Sequence, residues 1–430
     1  MAISGRVPLL IMLGLVPVVL RPTMSTVWSW AAVVLILCFA DWMMAPSISA
    51  LSLARARVEP VRLGHPGETT LLVANDTKRS VRALVRDAWQ PSVGATENRH
   101  RIDLAAGDQA RLRTRLLPRR RGDLRATGVT VRSHGPMGLV ARQRTVDVRG
   151  AVRCLPPFES RKHLPSRLAR LRELDGRAAV RVRGPGTEFD SLREYVRGDD
   201  VRSIDWRASA RTTTVVVRTW QPERDRRVVL VLDTSRTSAG RVEDVPRLDA
   251  AMDAALLLAA LASRAGDRVD FVAGDRRVRS RVRAARSRDV VASLQDVMSG
   301  LEAVIAEADW GRLAGAVHGL GRQRALLVLL TPLEPSAIEE GLLPALPSLI
   351  KHHRVVLASV KDPALDALAS SRNTLEEVYD AAAAEQAMQR RTHTADLLRA
   401  LGVDVLDVDA DRLAPALADH YLALKSRGML

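Results

Sequence analysis

Six carboxylates (Glu188, Asp190, Glu194, Asp199, Asp200 and Asp205) stand close in sequence to six arginines (183, 193, 197, 202, 207 and 211). Carboxylates at this density can serve as general acids, general bases or metal ligands. With Asp233 they would suit a metal-dependent hydrolase or transferase. Interleaved guanidiniums favour another use, bidentate pairing that holds the segment together. A paired carboxylate is held ionised and occupied, so structural pairing is the stronger reading. A second group follows the apolar run Val228–Leu232, where Asp233-Thr234-Ser235-Arg236-Thr237-Ser238 alternates a carboxylate with hydroxyls. Asp233 and Ser235 can cap the turn that leaves a strand by hydrogen bonding to its backbone.

Other chemistries are poorly served. The nine histidines are scattered, and neither His-Glu-x-x-His nor Gly-x-Ser-x-Gly occurs. Gly184-x-Gly186 lacks the third glycine and the strand–helix setting of a dinucleotide loop, and no Gly-Lys-Ser/Thr follows it. Cys38 and Cys154 are too few for a disulfide framework or a cysteine zinc site. Cys154 reads as buried structure. No catalytic residue is assigned.

The elements that would position Asp233 alternate in type. Apolar strands are expected at Val228–Leu232, Val269–Ala273, Ala325–Leu330, Val355–Val360 and Val403–Val408. Helices are expected at Leu248–Ala262, Ser287–Met298, up to Ile350, within Leu365–Leu401 and at Arg412–Lys425. This alternation predicts a mainly parallel, doubly wound sheet covered on both faces, with ligands at the carboxyl ends of its strands. Upstream, short alternating strands are expected at Glu68–Ala74, Val81–Asp87, Ala110–Leu116, Gly128–Arg132 and Thr145–Val148. Gly- and Pro-rich turns separate them, which predicts an immunoglobulin-like β-sandwich over 51–155. Residues 156–222 read as a charged linker with a short helix at Arg167–Leu174.

The first 46 residues hold two apolar runs, Val7–Leu20 and Val27–Leu37 continuing to Met44, separated by Arg21-Pro22. A bilayer-crossing helix takes about 20 apolar residues, so the first run is short and the second nearly sufficient. The first also fits the apolar part of a signal peptide, but no Ala-x-Ala-like site follows Leu20. Trp28, Trp30 and Trp42 sit at the ends of the second run, and Asp41 lies near its interface. Arg55, Arg57 and Arg62 follow it, with only Arg21 between the runs. A two-helix transmembrane anchor with both termini in the cytoplasm is the expectation.

The run Glu188-Phe189 … Leu192-Arg193-Glu194-Tyr195 … Gly198-Asp199-Asp200-Val201-Arg202-x-Ile204-Asp205-Trp206-x-Ala208-Ser209-Ala210-Arg211 closely resembles the signature of the bacterial domain-of-unknown-function family number 58. The order of segments resembles that family too, and implies a von Willebrand factor A-like domain over 223–430. It further implies a protein anchored in the bacterial cytoplasmic membrane with its soluble domains in the cytoplasm, often encoded beside MoxR-type AAA+ ATPases. Asp233, Ser235 and Thr237 resemble the Asp-x-Ser-x-Ser element of a metal-ion-dependent adhesion site, and that resemblance makes them ligands for Mg²⁺. Thr237 replaces the second serine and keeps its hydroxyl. A complete site would add a threonine from a second loop and an aspartate after the fourth strand. No Ser or Thr lies between Gly300 and Leu330, and Thr331-Pro332-Leu333 supplies no carboxylate. Asp309 and Glu334 are nearby acids that do not match the pattern. The expected face is therefore a degenerate site that binds a protein partner, with Mg²⁺ as the cofactor the resemblance allows.

Charge narrows the choice of partner. The chain has 430 residues with 65 Lys+Arg against 49 Asp+Glu, a formal charge of +16. The excess falls on residues 51–227, which suits an anionic lipid surface or an acidic protein face. Aromatic residues make up 3% of the chain, too few for a platform that stacks bases, so nucleic acid is not expected. The combined expectation is a membrane-anchored, non-enzymatic adaptor whose partner, by the resemblance, is a MoxR-type AAA+ ATPase.

Overall fold

The computed structural model describes residues 2–49, 51–181, 188–197, 199–211, 214–221, 226–283, 289–321 and 323–430. It divides into two compact units, Met1–Pro156 and Pro157–Leu430.

The first unit begins with a helical hairpin. Its first arm is broken into α1 (Arg6–Leu13) and α2 (Leu15–Leu20), and its second is the continuous α3 (Met24–Met44). Gly14 marks the break, where the Trp30 indole occupies the space a Cβ would need. Thr23 caps α3, and Pro46 stops it by excluding the helical conformation from Ala45. At 1.5 Å per residue the 21 residues of α3 reach about 31 Å, enough for a hydrocarbon core of about 30 Å. The first arm, Arg6–Leu20, reaches only about 22 Å. One helix, not two, is thus long and apolar enough to cross a membrane. Leu9, Met12, Leu15, Trp28, Leu35 and Ile36 lie more than half exposed along the arms.

Two antiparallel sheets follow. In one, β4 (Gly67–Asn75) lies between β2 (Leu51–Arg55) and β7 (Gln109–Leu116). In the other, β5 (Val81–Trp89) pairs with β6 (Arg99–Leu104) and with the long β8 (Gly122–His134). The far side of β8 carries β9 (Val140–Val146) and β10 (Ala151–Leu155). Alternate residues point inward, so Leu71, Val73 and Leu112 meet Val81, Val85, Ile102, Val129 and Val131 in one core. Four of the expected strands are present, and the fifth, Thr145–Val148, is displaced to Val140–Val146. Leu51–Arg55, Arg99–Leu104 and Ala151–Leu155 are additional, and their arginines obscure the alternation. A buried ion pair, Arg55 with Asp87 at 2.6 Å, crosses this unit, and the Trp89 indole donates to the same carboxylate at 3.0 Å.

In the second unit the sheet order is β15 (Val278–Val282), β14 (Arg268–Gly274), β13 (Arg227–Asp233), β16 (Leu326–Leu330), β17 (Arg354–Val360) and β18 (Asp404–Val408). All neighbours are parallel except the edge strand β15. Both faces of β13 are buried, as its unbroken apolar run requires. Val228, Leu230 and Leu232 join the core under α5 (Arg247–Arg264) and α11 (Ala410–Ser426). Val229 and Val231 join the opposite core under α7 (Trp310–His318) and α8 (Leu343–Ile350). The remaining helices are α6 (Val290–Ser299), α9 (Pro363–Ser370) and the 26-residue α10 (Leu375–Ala400).

The supposed linker is partly a structural layer, which corrects the expected boundary at 222/223. Residues Leu164–Arg181 form α4, and Leu171 and Phe158 are buried in the core beside α5 and α11. Arg167 and Arg170 both pair with Asp419 of α11 at 2.9 Å. The Ser160 hydroxyl donates to Asp253 of α5 at 2.8 Å. The short helix expected at Arg167–Leu174 lies within α4, whose Leu164, Leu168 and Leu171 recur at helical spacing.

Candidate functional site

The chain passes from β13 to β14 on one side and later returns to β16 on the other, so the strand order reverses between β13 and β16. A crevice opens at the carboxyl ends of strands at such a reversal. Asp233, the last residue of β13, and Thr331, just past β16, face each other across it. The Thr331 hydroxyl donates to Asp233 Oδ2 at 2.7 Å. From the turn after β13, Ser235 N–H donates to Oδ1 at 2.7 Å and the Thr237 hydroxyl to Oδ2 at 3.2 Å. The Ser235 and Thr237 hydroxyls lie 3.0 Å apart. Sequence-expected Asp233, Ser235 and Thr237 are therefore brought together, and Thr331 completes the cluster. Its place directly after an apolar strand was the signal available for it.

Asp233 is 1% exposed. Burial pushes its carboxyl above the usual range, and hydrogen bonds from Thr331, Ser235 and Thr237 act in the opposite direction. Thr234 turns the other way and donates to Asp275 at 2.9 Å. Burial would raise the Asp275 carboxyl too, but hydrogen bonds from Arg279, Thr234 and the Arg277 backbone outweigh it and hold the group below its ordinary value. Asp275 thus anchors the turn from beneath. The loop 304–306 braces it from outside, through Val304 N–H to Thr234 O and Arg236 N–H to Ala306 O, both at 2.9 Å. Ile305, at the crest of that loop, is 89% exposed.

The cluster forms the floor of a cavity of about 310 Å³, lined also by Arg236, Glu307, Trp310, Ser336 and Glu340. Arg236 pairs with Glu307 at 2.7 Å on its rim. The wall beyond β16 contains a π-helical turn, Ile338–Leu342, a departure from α-helix that is common at functional sites. Arg391 of α10 secures the neighbouring strand ends. It is bidentate to Asp407 and also donates to Leu333 O, Ser359 Oγ and Val360 O. Nothing in the polar sequence of α10 distinguishes Arg391 in advance. Asp309 does not line the cavity but caps α7, and Glu334 pairs with Arg247 at 3.0 Å. Among the described residues, no group of three His, Cys, Asp or Glu side chains is placed to hold a metal ion.

The signature run lies on a separate hairpin, β11 (Glu188–Glu194) with β12 (Val216–Gln221). None of its residues lines the Asp233 cavity. Arg193 is bidentate to Asp199 at 2.6 and 2.8 Å, and Asp199 also accepts Val196 N–H at 2.9 Å. These bonds, that from Arg193 foremost, hold the Asp199 carboxyl below its usual range. Asp205 caps the short helix Trp206–Ser209 through the N–H groups of Arg207 and Ala208, and Arg218 donates to it at 2.8 Å. Asp200 accepts Arg202 N–H at 3.0 Å. The expected pairing thus holds for Asp199 with Arg193, whereas Asp205 pairs with Arg218, outside the six expected arginines, and Asp200 acts as a cap. Tyr195 is half-buried, and Leu192, Arg202, Trp206 and Arg211 are exposed. Gly198 lies outside the described residues, as do the side chains of Glu188, Phe189 and Asp190.

Residues 191–399 match the family model described as "Protein of unknown function DUF58". Uncharacterized proteins of Mycobacterium tuberculosis and Mycobacterium bovis are each 27% identical to this chain over 272 residues, covering 58% of it and 83% of the relative. Similar solved structures include the conserved hypothetical protein BatB from Bacteroides thetaiotaomicron (11% identity, TM-score 0.28, covering 46% of this chain and 98% of that one). The SpRpn10 VWA domain is another, at 11% identity and TM-score 0.26, covering 45% of this chain and 94% of that one.

Proposed function

We propose that this chain, a member of the DUF58 family, is a membrane-anchored, non-enzymatic adaptor that docks a protein partner on the strand-end face of its C-terminal unit. The observation that carries the reading is the Asp233 cluster. A carboxylate buried at the strand-order reversal, held by an N–H and two hydroxyls, opens on a concave surface, and Ile305 is exposed on the loop that braces the same turn. Concave sites with a few convergent polar groups are where such sheets bind ligands. The von Willebrand A-like architecture and a MoxR-type AAA+ ATPase as the partner are the finer parts of the proposal, and both follow from the family resemblance.

The face works, in this proposal, without a resident metal ion. A divalent cation there would find the oxygens of Asp233, Ser235, Thr237 and Thr331 but a single negative charge, and both carboxylate oxygens already accept hydrogen bonds. Thr331 contributes an uncharged hydroxyl. Magnesium gives up its water reluctantly and needs strong oxygen ligands in near-ideal array to do so.

The membrane anchor rests on α3, where Met24, Trp28, Leu35, Ile36, Phe39 and Met43 are exposed while Val34 is buried. Strand pairing of Ala2–Ile3 with β9 returns the hairpin's other end to the same sheet that holds Asp41. This pairing supports a hairpin with both ends on one side, and the arginine-rich sequence after α3 favours the cytoplasm for that side by the positive-inside rule. The short arm α1–α2 is accommodated by local thinning of the bilayer. Crosslinking and affinity capture from native membranes, comparing wild type with Asp233→Ala, tests the docking face. An unchanged set of captured proteins would move the interface elsewhere.

A further inference from the structure

We propose that the strand-end cavity receives a lysine or arginine side chain of the partner, held directly by the Asp233 carboxylate with no bridging metal ion. The inference rests on the reading of this face as the partner-docking surface. Each hydrogen bond that Asp233 receives there comes from a neutral group: one backbone N–H and two hydroxyls. A buried carboxylate with no cationic partner is costly, and a cation entering the cavity relieves that cost.

The surroundings select the same ligand. The lining adds Glu307 and Glu340 to Asp233, against the single basic residue Arg236, which is already engaged by Glu307 at 2.7 Å. The positive excess of the chain falls on residues 51–227, so these carboxylates lie outside the basic segment. The hydroxyls of Ser235, Thr237 and Ser336 offer lone pairs to a multi-donor cation. A volume of about 310 Å³ admits one long side chain with accompanying water. One carboxylate and several neutral acceptors match a monovalent ammonium or guanidinium, which is charge-assisted without needing an octahedral shell.

The test uses the full chain in nanodiscs of zwitterionic lipid and two fluorescent twelve-residue probes, a Gly-Ser-Lys repeat and a Gly-Ser-Glu repeat. Anisotropy is read with Mg²⁺ and with EDTA. The lysine peptide is expected to bind equally in both, the glutamate peptide not to bind, and Asp233→Asn to weaken binding at least tenfold. Glu340→Gln, on the exposed rim, is expected to weaken it severalfold and serves if Asp233→Asn does not fold. Thr331→Asp adds the second carboxylate and is expected to make lysine-peptide binding sensitive to Mg²⁺. Preference for the glutamate peptide, a requirement for Mg²⁺, or lysine-peptide binding that is absent or indifferent to both Asp233→Asn and Glu340→Gln overturns the proposal. Partner capture that still depends on Asp233 while the lysine peptide fails would sink this inference alone. Capture independent of Asp233 would sink the docking face itself.

Discussion

Burial makes Asp233 costly to the fold. It pushes the carboxyl above its ordinary range, so the native state binds that proton more tightly than the unfolded chain does. Its contribution to stability is therefore greatest at low pH and is lost as pH rises from about 4 through the raised value. Asp233→Asn should remove that loss and raise the melting temperature at neutral pH, at about 2–4 °C per kcal/mol for a unit of this size. Thermal denaturation between pH 4 and 8 would show it, and a lowered melting temperature at neutral pH would contradict the account. His353 works in the opposite direction. It is buried with no hydrogen-bond partner on either ring nitrogen. Burial, with His318, His352 and Arg227 nearby, lowers it to about 4. The unfolded chain then binds the extra proton, so stability present above pH 6.5 falls as pH drops toward 4, by up to about 3 kcal/mol. His353→Leu should flatten that acid limb in a pH series of denaturation curves. In the first unit, Asp87→Ala would strand the buried Arg55 guanidinium and cost about 3–5 kcal/mol in denaturant unfolding.

Elements were legible wherever one period dominated. The continuous apolar runs at Val228–Leu232 and Ala325–Leu330 marked buried parallel strands, and the observed β13 and β16 start and end within about a residue of them. Strands such as Arg99–Leu104, crowded with arginine on the solvent side, were not distinguished, and α7 was missed because Trp310–His318 is short and contains two glycines. The joint between α3 and β9 could not be read at all, because it depends on a carboxylate meeting backbone groups nearly a hundred residues away. Asp41 is fully buried and accepts the N–H groups of Met137, Leu139 and Val140 at 2.7–2.9 Å. It is thus an anchor between the helix and the β8–β9 turn. Any Cβ at Gly135 would lie 2.2 Å from Asp41. Asp41→Ala leaves three buried donors unsatisfied, at about 1–3 kcal/mol each, and Gly135→Ala should disturb the same joint sterically. Proteolysis of the reconstituted chain should show faster cleavage near residues 45–50 in both variants, and unchanged cleavage would show that the joint does not hold the helix.

At the scale of the molecule, the β unit carries an apolar hairpin and the α/β unit a strand-end cavity, and the proposed anchoring and docking rest on these two features. That a β-rich part precedes an α/β part was legible from the pattern of elements. The boundary was not, because the arginine-rich sequence around α4 reads as linker while its leucines pack into the second core. The site was half legible: Asp233, Ser235 and Thr237 follow from their spacing, whereas Thr331 and Arg391 join only through the sheet order. Anchoring is checked by alkaline carbonate extraction of membranes. The full chain should stay in the pellet, and Leu35→Arg, which places a charge near the middle of α3 at about 3 kcal/mol, should shift it to the supernatant. A wild-type chain found shortened at its N-terminus and released would instead identify a signal sequence. The measurement that bears most directly on the central claim is quantitative crosslinking and capture from native membranes with wild type, Asp233→Ala and Ile305→Asp, on the loop that braces the same turn. The account predicts an AAA+ ATPase captured by wild type and lost in both variants. Its capture at wild-type yield by both would contradict the assignment of the strand-end face as the docking site.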